Sequence, residues 1–392
     1  MDLSKAENLL YESGEIVKTH QDDIKEKGED FNIFSILDME TKETKTHSAM
    51  LVALLDPTGN HYYDELFLKL FLEEIGYRDY QNENLKLVKV KAEYPLGTIS
   101  QAYDSGGFID ILITFPSGKA IAIENKINAG DQKNQLYRYS LYKGNMCALY
   151  YLNLFGKSPT KESLHTLAKS DFKIISYKFQ ILKWLENCLN ITKEGSIVEN
   201  AIRQYYILIQ KLTITMDRPL EDKLNKLIAN NLNEAEFIRT HYQNVVNKIR
   251  ERFRSELLKK LNDSLTQCIV QPSHPINHTY SKIWLTPSVP NQKAIKFGIE
   301  SFSGKSKNNN GRIFIGIYDE QSNYEFKRDG DYRLSSCWPV VSDITTPDQN
   351  PLNLGSMQTL EKLNSDENYF ENMLEASSGQ IINFIRTYFE EN

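Results

Sequence analysis

The chain has 392 residues, 40% of them hydrophobic and 25% charged, too long for one ordinary core and consistent with two or three domains. With 52 acidic against 46 basic residues the formal charge is −6, which excludes a protein that coats nucleic acid by bulk charge but not one with a local basic groove. No apolar run approaches the roughly 20 residues that span a bilayer, the opening MDLSKAENLLYESGE is too acidic for a signal peptide, and Cys147, Cys188, Cys268 and Cys337 form no CxxC pair, so the expectation is a cytoplasmic protein with reduced thiols, no membrane partner and no zinc site.

Residues 3–28 read as a polar amphipathic helix and FNIFSIL, 31–37, as a short apolar packing element. A stronger helix starts near Thr41 and runs through LVALLDP until Asp56-Pro57 stops it. ELFLKLFLEEIG, 65–76, repeats apolar residues at helical spacing and ends at a glycine suited to a C′ position. Strands follow at 85–96 and 106–115, then a PSG turn, then a strand at 119–127, so the last two form an antiparallel hairpin. DQKNQLYRYSLYKG, 131–144, reads as a helix, MCALYYLNLF, 146–155, as a buried central strand, and FKIISYKF, 172–179, as a further strand. Helices ILKWLENCLN and SIVENAIRQYYILIQKLTI close this part.

The longest helical pattern, 219–267, breaks near 231–234, after which Val246, Ile249, Phe253, Leu257 and Leu261 recur at three- and four-residue steps. From Gln271 short strands take over in IWLTPSV, AIKFGIES, RIFIGIYD, YEFKRDG and SSCWPVV, with a polar loop at 305–311 and a closing helix at 366–390. The expected organisation is an N-terminal helical segment (1–40), an α/β core (41–215), a helical connector (216–267) and a β-rich domain (268–392).

Within the hairpin, Asp110 is the only charge in GGFIDILITF, and Glu124 and Lys126 follow IAI directly. Strand alternation puts Glu124 and Lys126 on one face and points Asn125 the other way, though its backbone carbonyl can still reach a shared ion. Carboxylates on adjacent strands can hold a divalent cation, and a lysine beside it can orient a water or stabilise charge on a phosphoryl group. That is the equipment for phosphodiester hydrolysis. A bare D-x13-E-x-K pattern arises often by chance at exposed strand ends. Apolar neighbours change its meaning, because charges among buried residues need partners.

The run IDILI…IAIENKI…DQKNQLYRY resembles the PD-(D/E)XK nuclease superfamily, and looks most like a branch with an ENKI strand followed by DQxxQLxRY. The resemblance extends upstream to THSAMLVALLDPTGNHYYDELFLKLF. It implies a restriction-endonuclease-like core, a mixed sheet flanked by helices. By that resemblance Asp110 and Glu124 are metal ligands and Lys126 is the catalytic lysine, while Gln135 and Tyr139 match the QxxxY element of recombination-type exonucleases. Family members often add an acidic residue from an N-terminal helix or from the first strand. Glu43 and Glu93 are the candidates here, with a helix-dipole glutamate and a solvent-facing strand residue as the plainer readings. Ile109 stands where the family's first motif often has proline.

Gln132 and Arg138 are candidate phosphate contacts. Lys248 and Arg252, on the basic helix KIRERFRSELLKK, are further nucleic-acid candidates, although Glu251 and Glu256 offer them internal partners. His47 can hydrogen-bond near the site, and His61 reads as a loop residue. The expected activity is Mg²⁺-dependent cleavage (Mn²⁺ as the alternative ion) of nucleic acid, DNA before RNA, with defence against foreign DNA as the family habit. An RNA- or tRNA-directed nuclease and a non-catalytic binding or sensor module are the alternatives. There is no P-loop motif, so any motor is a partner protein; a homo-oligomer is left open.

Overall fold

The computed structural model describes residues 3–142, 145–288, 296–305, 311–319, 324 and 326–389. The chain divides into two compact units, Asp2–Asn231 and Leu232–Asn392. Helix Leu3–Lys27 packs on helix Arg218–Asn230 within the first unit, while helix Leu232–Ser264 supplies core residues to the second.

The first unit is built on a mixed sheet of five strands in sequential order: β1 (Lys89–Pro95), β2 (Phe108–Thr114), β3 (Lys119–Lys126), β4 (Asn145–Asn153) and β5 (Lys173–Ser176). The pairs β1–β2 and β2–β3 are antiparallel; β3–β4 and β4–β5 are parallel. Two-residue alternation distributes the apolar side chains. Ile111, Ile113, Ile121, Ile123, Tyr150 and Leu152 join a core with helices Ala49–Leu55, Leu66–Glu74, Leu182–Ile191 and Ile197–Thr213. Leu112, Ala120, Ala122, Leu149 and Tyr151 face the other side, against Leu136 and Tyr139 of helix Gln135–Ser140. This is the restriction-endonuclease-like arrangement, with helices on both faces of the sheet.

Three elements are shorter than their sequence patterns. Strand 85–96 is regular only from Lys89, because Asn84 caps a turn at Leu85–Leu87. Helix 131–144 is regular only over Gln135–Ser140. Asn134 takes a left-handed conformation (φ 55°), and the Asp131 carboxylate accepts bonds from the Tyr151 hydroxyl and the Thr160 N–H, so the chain before Gln135 is held as a loop. Strand 172–179 stops at Ser176, whose hydroxyl caps a wide helical turn, Tyr177–Ile181.

In the second unit, β6 (Cys268–Ser273), β7 (Lys282–Pro287), β8 (Lys296–Glu300), β9 (Phe314–Tyr318) and β10 (Val340–Asp343) form an antiparallel meander. Ile283, Leu285, Phe297, Ile299, Ile315 and Ile317 pack with Phe253 and Leu257 of helix Leu232–Ser264 and with Phe384 and Ile385 of helix Glu367–Phe389. Among the described residues 324–330 form no strand, and of SSCWPVV only Val340 and Val341 lie in a strand. The expected polar loop at 305–311 lies largely outside the described residues. Among the described residues no helix is long and apolar enough to cross a membrane.

The link between β1 and β2 turns back sharply at Gly106 (φ 81°), where an added Cβ would lie 2.1 Å from the Thr98 carbonyl oxygen. Gly106→Ala is expected to destabilise the protein by about 2 kcal/mol or more, read as a drop in the chemical-denaturation midpoint.

Candidate active site

Asp110 lies near the start of β2, and Glu124 and Lys126 lie at the end of β3. The β2–β3 ladder ends at Ile111↔Ile123, so the polar residues stand just past the last paired step. Across β1, Ala92 pairs with Ile111 and Tyr94 with Ile109; at the step between, Glu93 takes a positive φ of 49°. Ile109 and Ile111 belong to opposite cores, so the alternation of β2 inverts at Asp110. An irregular step of this kind re-aims one side chain without ending the strand.

Asp110 Oδ2 accepts the Asn125 N–H at 2.7 Å. Glu124 is fully buried, and its Oε1 lies 2.6 Å from the Lys126 ammonium. The Asp110 carboxyl and the Tyr139 hydroxyl lie against Glu124. Burial, with the Glu124 charge alongside, pushes the Asp110 carboxyl well above the usual carboxylate range. Burial also raises Glu124, outweighing the attraction of Lys126. Burial acts to lower the Lys126 ammonium, but the Glu124 and Asp110 charges prevail and hold it above its ordinary value.

Both Glu124 oxygens are buried and neither accepts a well-formed hydrogen bond; Oε1 lies against the lysine ammonium. A bare buried carboxylate oxygen is costly. Two adjoining carboxylates against one ammonium leave a net negative charge in an all-oxygen donor set, which suits a hard divalent cation such as Mg²⁺ or Mn²⁺.

Gln135 and Tyr139 are both buried, and Gln135 Nε2 donates to the Tyr139 hydroxyl at 3.3 Å. Burial and the two carboxylates drive the Tyr139 phenol far up, so its hydroxyl keeps its proton. Tyr151, beside Glu124 in the β3–β4 register, adds a second buried tyrosine and was missed in the sequence. The parity of β4 against β3 was its only signal.

Other candidates are placed differently. Glu43 Oε1 accepts the N–H groups of Ile127, Asn128 and Ala129 at 2.7, 3.1 and 2.9 Å, so this carboxylate holds the loop that leaves β3. Glu93 is half-buried and accepts from the Thr44 hydroxyl at 3.3 Å. No group of three or more His, Cys, Asp or Glu side chains converges as a metal cage among the described residues, so the compact unit here is the Asp110–Glu124 pair. Arg138 is buried. Its buried guanidinium donates to the carbonyls of Gly106 and Lys133 and to Gln132 Oε1, tying the β1–β2 link to the helix of Gln135 and Tyr139. Gln132 is exposed but accepts that bond.

Lys248 and Arg252 belong to the second unit. Lys248 is exposed, whereas Arg252 is paired with Glu367 and stacked 4.0 Å from the Phe370 ring centroid. Arg254 pairs with Glu251 and Lys259 with Glu256, so much of the basic run is engaged within its own unit. His61 knits its loop together, with Nε2 on the Asp56 carbonyl and Nδ1 accepting the Tyr63 N–H.

His47 is fully buried, with Nε2 at 2.9 Å from the Glu40 carbonyl and Nδ1 at 3.0 Å from the Tyr205 hydroxyl. A carbonyl only accepts, so Nε2 carries the proton and Nδ1 receives the Tyr205 hydroxyl. Burial pushes the imidazole down to about 4, so the ring is neutral and its nitrogens are committed.

Two outcomes follow from these shifts. The folded-state value of His47 lies below its ordinary one, so its contribution is complete above about pH 6.5 and is lost as pH falls toward 4. His47→Gln is expected to narrow its stability gap to wild type by up to roughly 3 kcal/mol between pH 7 and 4, measured by chemical denaturation. Asp110 is shifted upward, so its folded-state advantage is present at low pH and lost as pH rises through the raised value. Asp110→Asn is therefore expected to raise the midpoint of the metal-free protein in EDTA at pH 8, while Mn²⁺ stabilises wild type and not the variant.

Residues 31–207 match the family profile described as the PD-(D/E)XK nuclease superfamily. No curated protein and no solved structure matches the chain. The matched segment holds the whole sheet and all three polar groups of the site. The mixed sheet, the acid pair with its lysine and this match agree: residues 31–207 belong to the PD-(D/E)XK nuclease superfamily.

Proposed function

We propose that the protein is a divalent-metal-dependent nuclease that hydrolyses phosphodiester bonds in DNA. The observation that carries this reading is half-buried Asp110 beside fully buried Glu124, one Glu124 oxygen bare, with the Lys126 ammonium 2.6 Å from Glu124. Asp110 and Glu124 are the residues that would hold Mg²⁺ or Mn²⁺. Such an ion supplies an activated water and offsets charge on the phosphoryl oxygens.

Lys126 is a cation on a short leash, set by its partner on the same strand face. On substrate binding it can exchange Glu124 for a phosphoryl oxygen and stabilise the charge that develops there. Gln135 and Tyr139 stand as neutral donors beside the acids, placed by a helix that Arg138 ties to the β1–β2 link. Their likeness to the QxxxY element of recombination-type exonucleases favours DNA. The complete acid–acid–lysine set favours catalysis over a purely binding or sensing module. A part in defence against foreign DNA is in keeping with the superfamily, and the second unit is the natural place for recognition of substrate or partner protein.

Purified protein is expected to cleave plasmid or linear DNA with Mg²⁺ or Mn²⁺ and to stop in EDTA. Asp110→Ala, Glu124→Ala and Lys126→Ala should each lower the rate by about 10²–10³ or more. Full activity in Asp110→Ala, or cleavage that ignores the chelator, overturns the reading; cleavage of RNA alone under the same conditions reassigns the substrate.

A further inference from the structure

We propose that Tyr177 is a positioning residue of the active site, acting through the Asn125 side chain. The inference rests on the nuclease reading and adds a residue from a different part of the chain, just beyond β5.

The last residues of β3 are secured on one side only. Glu124, Asn125 and Lys126 continue in register with Tyr151, Leu152 and Asn153 of β4. On the β2 side the ladder has already ended at Ile111↔Ile123. There the Asn125 N–H meets a side chain, Asp110 Oδ2, rather than a strand carbonyl. The rotation of this strand end sets where Glu124 and Lys126 point, and the ladder toward β2 does not determine it.

Asn125 supplies the missing constraint from the opposite face. Its side chain is buried; Nδ2 donates to Ser48 Oγ at 3.0 Å and Oδ1 accepts the Tyr177 hydroxyl at 2.8 Å. An amide held at both ends cannot turn, so the backbone between Glu124 and Lys126 cannot turn either. One residue thus links the aim of both flanking side chains to the N–H that orients Asp110.

Tyr177 is itself braced. It is fully buried and opens the wide turn capped by Ser176. Its ring meets the His47 ring edge-on, with centroids 5.4 Å apart. Its hydroxyl adjoins that of Tyr205, which is held by His47, which is anchored on the Glu40 carbonyl. Buried polar chains of this kind confer orientation when every member is satisfied. Groups that orient ligands from behind typically change metal affinity by about 10–100-fold when removed.

Tyr177→Phe keeps the ring and removes only the hydroxyl. The expected result is an increase of about 10-fold in the Mn²⁺ dissociation constant measured by calorimetry, a matching rise in the metal concentration for half-maximal cleavage, a lower kcat and a KM for DNA within about 2-fold of wild type. Amide hydrogen exchange at Asn125 should accelerate. Adding Tyr177→Phe to Asn125→Ala should cost nothing further. Unchanged Mn²⁺ affinity and unchanged Asn125 exchange in a folded Tyr177→Phe protein overturn the proposal, and so does additivity in the double variant. If Tyr177→Phe does not fold, Ser48→Ala releases the other end of the same amide and is read the same way. Wild-type protein that binds Mn²⁺ but cleaves no nucleic acid would count against the nuclease reading alone, because the affinity and exchange measurements still decide the role of Tyr177.

Discussion

Two carboxylates, Asp110 and the fully buried Glu124, repel each other, and the backbone irregularities where β2 and β3 part surround that repulsion. Lys126 compensates one of the two charges and leaves the other without a counter-ion. A group in this state is held up by the surrounding fold, not by its own interactions, since raised carboxyl values mean that folding opposes the charged form. Carboxyls perturbed in this way gather at functional sites.

The scaffold meets that demand with local irregularities. The alternation of β2 inverts at Asp110, Glu93 opposite it has a left-handed backbone, and the strand end carrying Glu124 is fastened by side chains instead of a ladder. Glu43 gathers three successive N–H groups after β3, and Arg138 gathers two carbonyls at the flanking loops. These charged residues stabilise loops that would otherwise present unpaired backbone groups.

The second unit follows an ordinary layered logic, with one sheet face packed on helices. On its other face Trp338 lies over Gly298 and Gly316, neighbouring positions in the register, where added Cβ atoms would come within 2.7 and 3.0 Å of the indole. The glycines make the trough that seats this ring. Lys282 of β7 and Glu300 of β8 form a buried pair, 2.6 Å apart. The packing accounts for why FGIE and FIGIY carry glycine within otherwise apolar strands.

Much of the site was legible because its signals are local. Glu124 and Lys126 are two apart on an apolar strand, and alternation alone puts them together with Asn125 turned away. The PSG turn brings Asp110 back beside them through a short hairpin, a pairing of low sequence separation. The helix of Gln135 and Tyr139 follows directly, and their four-residue spacing places them on one face. Contacts that require distant segments were not legible. Tyr177 reaches Asn125 from 52 residues away, Glu43 reaches Ala129 from 86, and both depend on how helices settle on the sheet. Element ends were misjudged for the same reason: side chains of Asp131, Ser176 and Asn84 terminate regular structure by bonding to backbone or side-chain groups that periodicity does not register. Sequence by itself determined which faces Glu124, Asn125 and Lys126 occupy and which polar groups meet across the hairpin, since the strand period and the tight turn dictate both. Only the tertiary structure decided which charged residues stay open to a ligand and which are consumed in holding loops, because that depends on where buried donors and acceptors from remote segments come to rest.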